Sequence, residues 1–452
     1  MTGAEPSFAE SLIDVVTLQA GYNTIVVTLG ATLLGIASGA VGVFAMLRRQ
    51  ALVSDAMAHA TLPGVAMAFL LATRFGADGR SLPLLLAGAA ATGVLGALTI
   101  KAILRASRLR EDAAIGAVLS VFFGVGIVLL SVIQNSAEGN AAGLNHLIYG
   151  QTAALQERDA WLIGALALAS LLGAGLLLKE FRVVCFDDRF AAAIGLPVGV
   201  IDIAMMALIV IVVVIGLQAV GLLLIVALLI IPPAAARFWT ERLGLMLIIA
   251  TAIGGASGLL GAVKSSTDGN LPAGAVIVLT AAGFFAISMA LAPRRGAFAH
   301  LLRLLRLRVR VAVDHLLRSA YERLEAGSEP IKAGAEVRIA DLRIARSWSK
   351  VGGLAVCALA RASGLVKIRD GALTLTERGA ASAIRLTRNH RMWEEYLSAY
   401  ADVAASHVDW SADRVEHILS PGIIDRLEVA LRKRDRLPEG VPPSVHTIGG
   451  GS

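Results

Sequence analysis

Apolar residues run almost without interruption over roughly 22–46, 52–73, 82–105, 112–134, 157–178, 200–237, 243–263 and 273–292, with polar clusters between the runs. Most runs approach the ~20 residues that a helix needs to cross a hydrocarbon core of ~30 Å. Beyond Pro293 the pattern changes, and apolar positions recur with helical spacing among many charges. Val337–Lys350 and Gly352–Leu365 read as two helices. Val366–Leu375 reads as strand, tight turn at Asp370-Gly371 and strand, followed by a long helix from Thr376. The expected architecture is therefore an all-α polytopic membrane bundle of about eight or nine transmembrane helices, then a soluble helical part with a little β structure and a winged-helix outline.

Composition agrees with this division. Of 452 residues, 56% are hydrophobic and 17% are charged, and the mean hydropathy is +0.72, which excludes a disordered chain and an all-soluble one. Residues 1–292 hold 15 Lys+Arg and 16 Asp+Glu, while 293–452 hold 26 and 18, so a nearly neutral bundle precedes a tail of +8. Two cysteines, Cys185 and Cys357, are too few and too far apart for a disulfide framework or a zinc knuckle. The expected segments are an interfacial stretch 1–20, a transmembrane domain 21–293, a basic exit helix and linker 294–325, a winged-helix-like part 326–385 and a helical metal-sensing and dimerisation-like part 386–452.

Basic residues set the orientation. They cluster at Arg48-Arg49, Lys101/Arg105/Arg108/Arg110, Lys179/Arg182/Arg189, Arg237/Arg242 and Arg294-Arg295. If all five clusters are cytoplasmic, each interval between them holds an even number of crossings. The run 200–237 must then be a hairpin turning near Gly216–Gly221, or a re-entrant pair, which gives about nine crossings with the tail inside. Arg74 and Arg80 are the exceptions on the outer side. Met1–Gln19 carries Glu5, Glu10 and Asp14 and no basic start, so it reads as an interfacial segment rather than a signal peptide. Small residues such as Gly30-Ala31, Gly35, Gly39-Ala40 and those of Gly88–Gly96 are expected to let helices of the bundle approach closely.

Ionisable groups inside spans are costly unless they are paired or face a cavity. Asp55 and His59 stand in Ser54-Asp55-Ala56-Met57-Ala58-His59-Ala60-Thr61-Leu62-Pro63-Gly64-Val65, at i and i+4, on one face of a helix. A carboxylate and an imidazole so placed can share a divalent cation, and this O/N pair suits manganese, iron or zinc. By spacing alone they could equally be a hydrogen-bonded pair that holds two helices together. No Gly-x-x-x-x-Gly-Lys-[Ser/Thr] loop is present. The nearest stretch, Gly261–Ser266, lacks the glycine before its lysine, so the chain reads as a conduit rather than an ATPase.

The Asp55/His59 stretch resembles the signature of the permease subunits of bacterial ABC importers for manganese, zinc and iron. Asn145–Gln151 is similar to that family's outward-facing loop. Phe186-Asp187-Asp188-Arg189-Phe190-Ala191-Ala192-Ala193-Ile194-Gly195-Leu196-Pro197 is similar to its ATPase-docking loop, and Gly216–Gly221 with Ala227–Ala236 to its late span. The resemblance implies a multi-pass protein of the bacterial cytoplasmic (inner) membrane with a cytoplasmic tail. Its implied partners are an ABC ATPase, an extracytoplasmic metal-binding protein and a second permease, either a copy or a paralogue. Asp55 and His59 would line the path, and Asp187, Asp188, Phe190, Ala191, Gly195 and Leu196 would couple to the ATPase. A divalent metal would be cargo and a possible regulatory ion, with no tightly bound cofactor. His146, Glu157 and Asp159 could guide a cation from outside or be ordinary loop polarity.

In the tail, Arg294–Arg310 holds six arginines among Leu, Phe and Val, as a helix lying over anionic lipid would. Leu373–Gly379, Arg388–Glu395 and Val415–Ser420 resemble the iron- and manganese-dependent regulators of the diphtheria-toxin-repressor type. That resemblance implies regulatory metal ligands at His390 and Glu394, and at Asp413, Glu416 and His417. Spacing makes each set share a helix face, although salt bridges along amphipathic helices would use the same spacing. Asp314 and His315 fall near the family's early-helix ligands, but Arg318 stands where another ligand is expected, and Asp409 where the iron branch tends to have His. The segment 352–364, placed as a recognition helix, offers only Arg361 for base reading, so DNA is not an expected partner. A membrane-anchored metal-dependent transcriptional regulator is the alternative to a permease.

Overall fold

The computed structural model describes residues 8–17, 19–48, 51–76, 81–135, 157–267, 271–327, 331–345, 348–400, 421–432 and 441–442. They form two compact units, Met1–His300 and Leu301–Ser452.

Close helix approach organises the first unit. α1 (Phe8–Val16) precedes α2 (Tyr22–Leu47), the most enclosed long helix, buried along 72% of its most apolar window. Ala31, Gly35 and Gly39 lie on one face of α2, four residues apart. They meet Gly258, Gly254 and Ala250 of α12 (Leu243–Thr267) in antiparallel register. A Cβ on Gly35 would stand 2.1 Å from the Gly254 carbonyl oxygen, and one on Gly254 would stand 2.1 Å from that of Gly35. Only glycine permits this backbone contact, which supplies dispersion where no hydrophobic effect drives association.

The second apolar run becomes α3 (Ala51–Ala60) and α4 (Leu62–Arg74), broken at Thr61. Pro63 has no N–H for the carbonyl of His59, four residues earlier, so the helix is interrupted just beyond the Asp55/His59 pair. α5 (Leu82–Ala106) packs on α4 at Gly64 and Gly88, where each glycine faces the other's carbonyl. α6 (Glu111–Asn135) exposes Val121, Val125, Val128 and Val132 along one stripe. That stripe is suited to lipid rather than water.

α7 (Glu157–Leu176) and α8 (Leu178–Phe186) make a 65° bend, and the six-residue α9 (Asp188–Ala193) follows. The run 200–237 divides at Gly221, whose φ of +85° ends α10 (Val198–Val220) and starts α11 (Leu222–Trp239). Gly216 lies so close to Ile225 that an added Cβ would stand 2.2 Å from its Cδ1, so the two helices pack against each other beside the break. α13 (Ala273–Leu291) completes the unit. Among the described residues, seven helices are long and apolar enough to cross a membrane, or eight if the bent α7–α8 pair is one span, and Ile225–Trp239 is a shorter apolar helix. Some buried hydroxyls in the bundle turn back on their own helices, as Ser257 does to the Ile253 carbonyl at 2.7 Å.

α14 (Ala297–Ala326) is one continuous helix. Its second half buries Val313, Leu316, Leu317, Ala320, Tyr321 and Leu324 in the core of the second unit. There β1 (Glu336–Arg338), α15 (Ile339–Ala345), α16 (Lys350–Ala362), β2 (Val366–Arg369) and β3 (Ala372–Leu375) form a small α/β body with antiparallel strand order β1-β3-β2. The expected hairpin turn is present, with positive φ at Asp370 and Gly371 as a two-residue turn matched to strand twist requires. Strand β1 was not expected: Val337–Lys350 read as a helix, but Glu336–Arg338 pair with Ala372–Thr374. Tertiary pairing overrides local propensity there. Thr376 caps α17 (Glu377–Tyr400) by accepting from Gly379 N–H at 3.0 Å, and it donates to the Leu365 carbonyl at 2.9 Å. α17 runs unbroken through 385–386, as the long helix expected from Thr376. α18 (Pro421–Arg432) packs on it through Met392, Leu427 and Leu431.

Candidate metal path and regulatory cluster

Asp55 and His59 lie on one face of α3, with His59 Nε2 3.6 Å from Asp55 Oδ1. That is too long for a hydrogen bond. It is the separation of two ligand atoms each about 2.1 Å from a shared ion at an angle of about 118°. Their side chains are 37% and 16% exposed, half-withdrawn from solvent in a helix whose other positions from Val53 to Ala60 are nearly all buried. The His59 ring stands edge-on to Phe123 of α6, with centroids 4.9 Å apart, and its Nδ1 is buried without a hydrogen-bond partner among the described residues. Within those residues no third His, Cys, Asp or Glu joins the pair. The pair therefore sets a carboxylate and an imidazole side by side on one helix face, unjoined by a hydrogen bond.

Just past the end of α2, Arg48 fully engages another carboxylate, the half-buried Asp202. Arg48 donates from Nη2 to both oxygens of Asp202 on α10, at 2.9 and 3.1 Å, and from Nη1 to the Val184 carbonyl on α8, at 3.1 Å. Asp188 on α9 lies 3.6 Å from Arg48 Nη1. One guanidinium thus ties α2 and α10 to the loop expected to dock on an ATPase. The sequence reading did not single out Asp202. Its signal was a lone acid opening an apolar run, which needs a partner.

The docking loop has a defined shape. Asp187 caps α9, its Oδ1 accepting from Phe190 N–H at 2.9 Å, and Gly195 adopts a φ of +86° after it. Ala191 is buried, whereas Phe186, Phe190 and Ile194 are exposed at four-residue spacing. Asp187 and Gly195 set the shape of the segment, and its apolar side faces outward.

In the second unit, His390 and Glu394 also stand at i and i+4, with Nε2 to Oε1 at 3.2 Å, but both are buried together with Arg318 of α14. Arg318 Nη1 lies 2.6 Å from His390 Nδ1. The neighbouring Arg391 donates to Glu325 Oε1 and to the Pro442 carbonyl, each at 2.9 Å, and lies 5.5 Å over the Tyr321 ring. Burial works against the Arg391 charge, yet the hydrogen bond and charge of Glu325 raise its pKa above the ordinary arginine value. Asp413, Glu416 and His417, along with Asn145–Gln151, lie outside the described residues.

Comparison with known proteins decides the family. The description "ABC 3 transport family" matches residues 22–292. The chain belongs to the ABC 3 transport family. Residues 376–443 match "Iron dependent repressor, metal binding and dimerisation domain". The manganese transport system membrane protein MntC of Bacillus subtilis is 39% identical over 421 residues, covering 92% of this chain and 93% of that one. The zinc transport system membrane protein TroC of Treponema pallidum is 41% identical over 286 residues, covering 63% and 94%. A solved structure titled PsaBC from Streptococcus pneumoniae in complex with Fab aligns with TM-score 0.56 and 34% identity, covering 66% of this chain and 99% of that chain. The match to MntC spans both units, so the join of a permease to a repressor-type domain is shared with that relative. The chain is a multi-pass membrane transport subunit, not an enzyme.

Proposed function

We propose that this protein is the permease of an importer for a divalent transition metal, manganese or iron by its ligand chemistry, with zinc compatible. The observation that carries the reading is the Asp55–His59 pair, open toward a shared ion, in a span of an ABC 3 family chain. The names of the manganese and zinc relatives support the cargo class. In this reading Asp55 and His59 hold the ion in transit, and a second permease, copy or paralogue, contributes the donors that complete its shell. An extracytoplasmic binding protein delivers the ion. A separate ATPase grips α9 through Phe186, Phe190 and Ile194, and Arg48 transmits the motion to α2 and α10. Alternating access follows from the rocking of one bundle against the other.

The tail lies in the cytoplasm and slows transport when metal is plentiful, as linkage between two sites permits. Asp413, Glu416 and His417 are its sensing ligands, because His390 is already engaged by Arg318 and Glu394 by His390. DNA reading is not part of this proposal, since α16 exposes Val351, Leu354 and Leu359 rather than a basic face.

The test is metal uptake by cells that carry Asp55→Ala or His59→Ala in an otherwise intact system. Unchanged uptake in both variants removes the transport-path assignment. Deleting 311–452 checks the feedback, which fails if uptake stays equally sensitive to high internal metal.

A further inference from the structure

The pair His390–Glu394 has the spacing of a metal site and lies in a segment that matches a metal-binding repressor domain. Its surroundings do not fit a metal. Arg318, His390 and Glu394 are 2%, 1% and 0% exposed, so their partners lie inside the protein. A guanidinium keeps its charge and has only donors. Arg318 Nη1 lies 2.6 Å from His390 Nδ1 and 3.1 Å from Nε2, so the guanidinium is packed against the imidazole ring and lies close to both of its nitrogens. On the other side of the contact, His390 Nε2 is 3.2 Å from Glu394 Oε1.

A metal ligated by this imidazole would have to share its surroundings with a guanidinium nitrogen within 3.1 Å of both ring nitrogens. Glu394 meets the same cluster, and Arg318 Nε faces Glu322 Oε1 at 3.3 Å. A divalent ion placed between His390 and Glu394 would stand a few ångströms from a fixed positive charge, in an interior that screens repulsion poorly. A second tie, Arg391 to Glu325, joins the same two helices in the opposite sense.

We propose that the Arg318 guanidinium, packed against the His390 ring, is a tethered cation that keeps a divalent ion away from the His390–Glu394 pair, so that the α14–α17 joint is permanently closed and takes no metal. The inference stands apart from the transport reading, because it concerns only the second unit.

Hydrogen–deuterium exchange on the purified full chain in detergent tests it, with manganese(II) as the probe. Peptides covering 385–397 should exchange at the same rate with and without the ion. Arg318→Ala should speed their exchange on the order of a hundredfold, as loss of a buried charge partner opens the joint. Manganese-induced protection of these peptides that persists when Asp413, Glu416 and His417 are replaced by alanine overturns the proposal. Arg318→His, counted for bound manganese, should gain one equivalent that an added Glu394→Gln removes. A folded R318H protein that gains none also overturns it, since the guanidinium would then not be what excludes the metal.

Discussion

Two acid–histidine pairs with identical i, i+4 spacing sit in the two units, and their third neighbours differ. Asp55 and His59 approach no closer than 3.6 Å, and His59 keeps a buried, unpartnered Nδ1 among the described residues. His390 and Glu394 are bonded to each other and closed by Arg318. The first pair is not joined by a hydrogen bond, and the second lies against a cation that is covalently attached to the chain. The same distinction separates two acids of the apolar runs, since Asp202 is closed by Arg48 and Asp55 is not. Whether a carboxylate is a ligand or a strut depends on what lies opposite it.

The largest expected effect breaks the open pair. Asp55→Ala or His59→Ala should lower cellular metal uptake on the order of a hundredfold or more, because removing a direct ligand should exceed the cost of losing an outer-shell partner. Membrane levels of each variant should match the wild type, and a variant that retains more than about a tenth of normal uptake would place the path elsewhere. Next comes the closed pair. Arg318→Ala removes the buried cation against His390, leaves Glu322 without its ion pair, and should destabilise the second unit by about 3–5 kcal/mol. A thermal melt of the full chain followed by limited proteolysis at the tail reads this, and an unshifted transition would mean that the cluster carries no load.

Arg48→Ala sharpens the contrast inside the membrane unit. It removes charge-assisted hydrogen bonds of about 1.5–3 kcal/mol in total effect. Asp202→Asn should cost less, because the amide oxygen still accepts from Arg48. The readout is uptake per ATP hydrolysed in reconstituted vesicles, and an unchanged ratio would deny Arg48 a coupling role. The smallest effect concerns Cys357, whose thiol burial pushes above the ordinary range. A raised thiol pKa keeps the reactive thiolate scarce until the pH climbs past the usual value. Iodoacetamide at mildly alkaline pH should therefore leave Cys357 unmodified in the folded chain and label it after denaturation. Ready labelling of the native protein would contradict the burial.

Much of this was legible in the residues. Apolar runs, the Asp370-Gly371 turn and the Asp55/His59 stretch are local patterns that constrain local backbone, and the structure realises them as helices, hairpin and shared helix face. The small residues Gly35 and Gly39 could be read as packing positions, but not their partners Gly254 and Ala250, more than two hundred positions away. Strand β1 escaped notice because a three-residue strand is defined by the strand beside it. Arg318 was visible only as a residue in an unexpected place.

The sequence by itself determined a membrane bundle followed by a basic appended unit, the side of the membrane its charges favour, and two acid–histidine pairs of metal-ligand spacing. These follow from hydropathy, charge count and the 3.6-residue turn, which are properties of neighbouring residues. Only the tertiary structure decided which pair stays open. Arg318 reaches His390 across 72 positions of chain and Arg48 reaches Asp202 across 154, and no local rule specifies such partners. A ligand site is defined by the absence of an internal partner, and that is known only once the chain has folded around it.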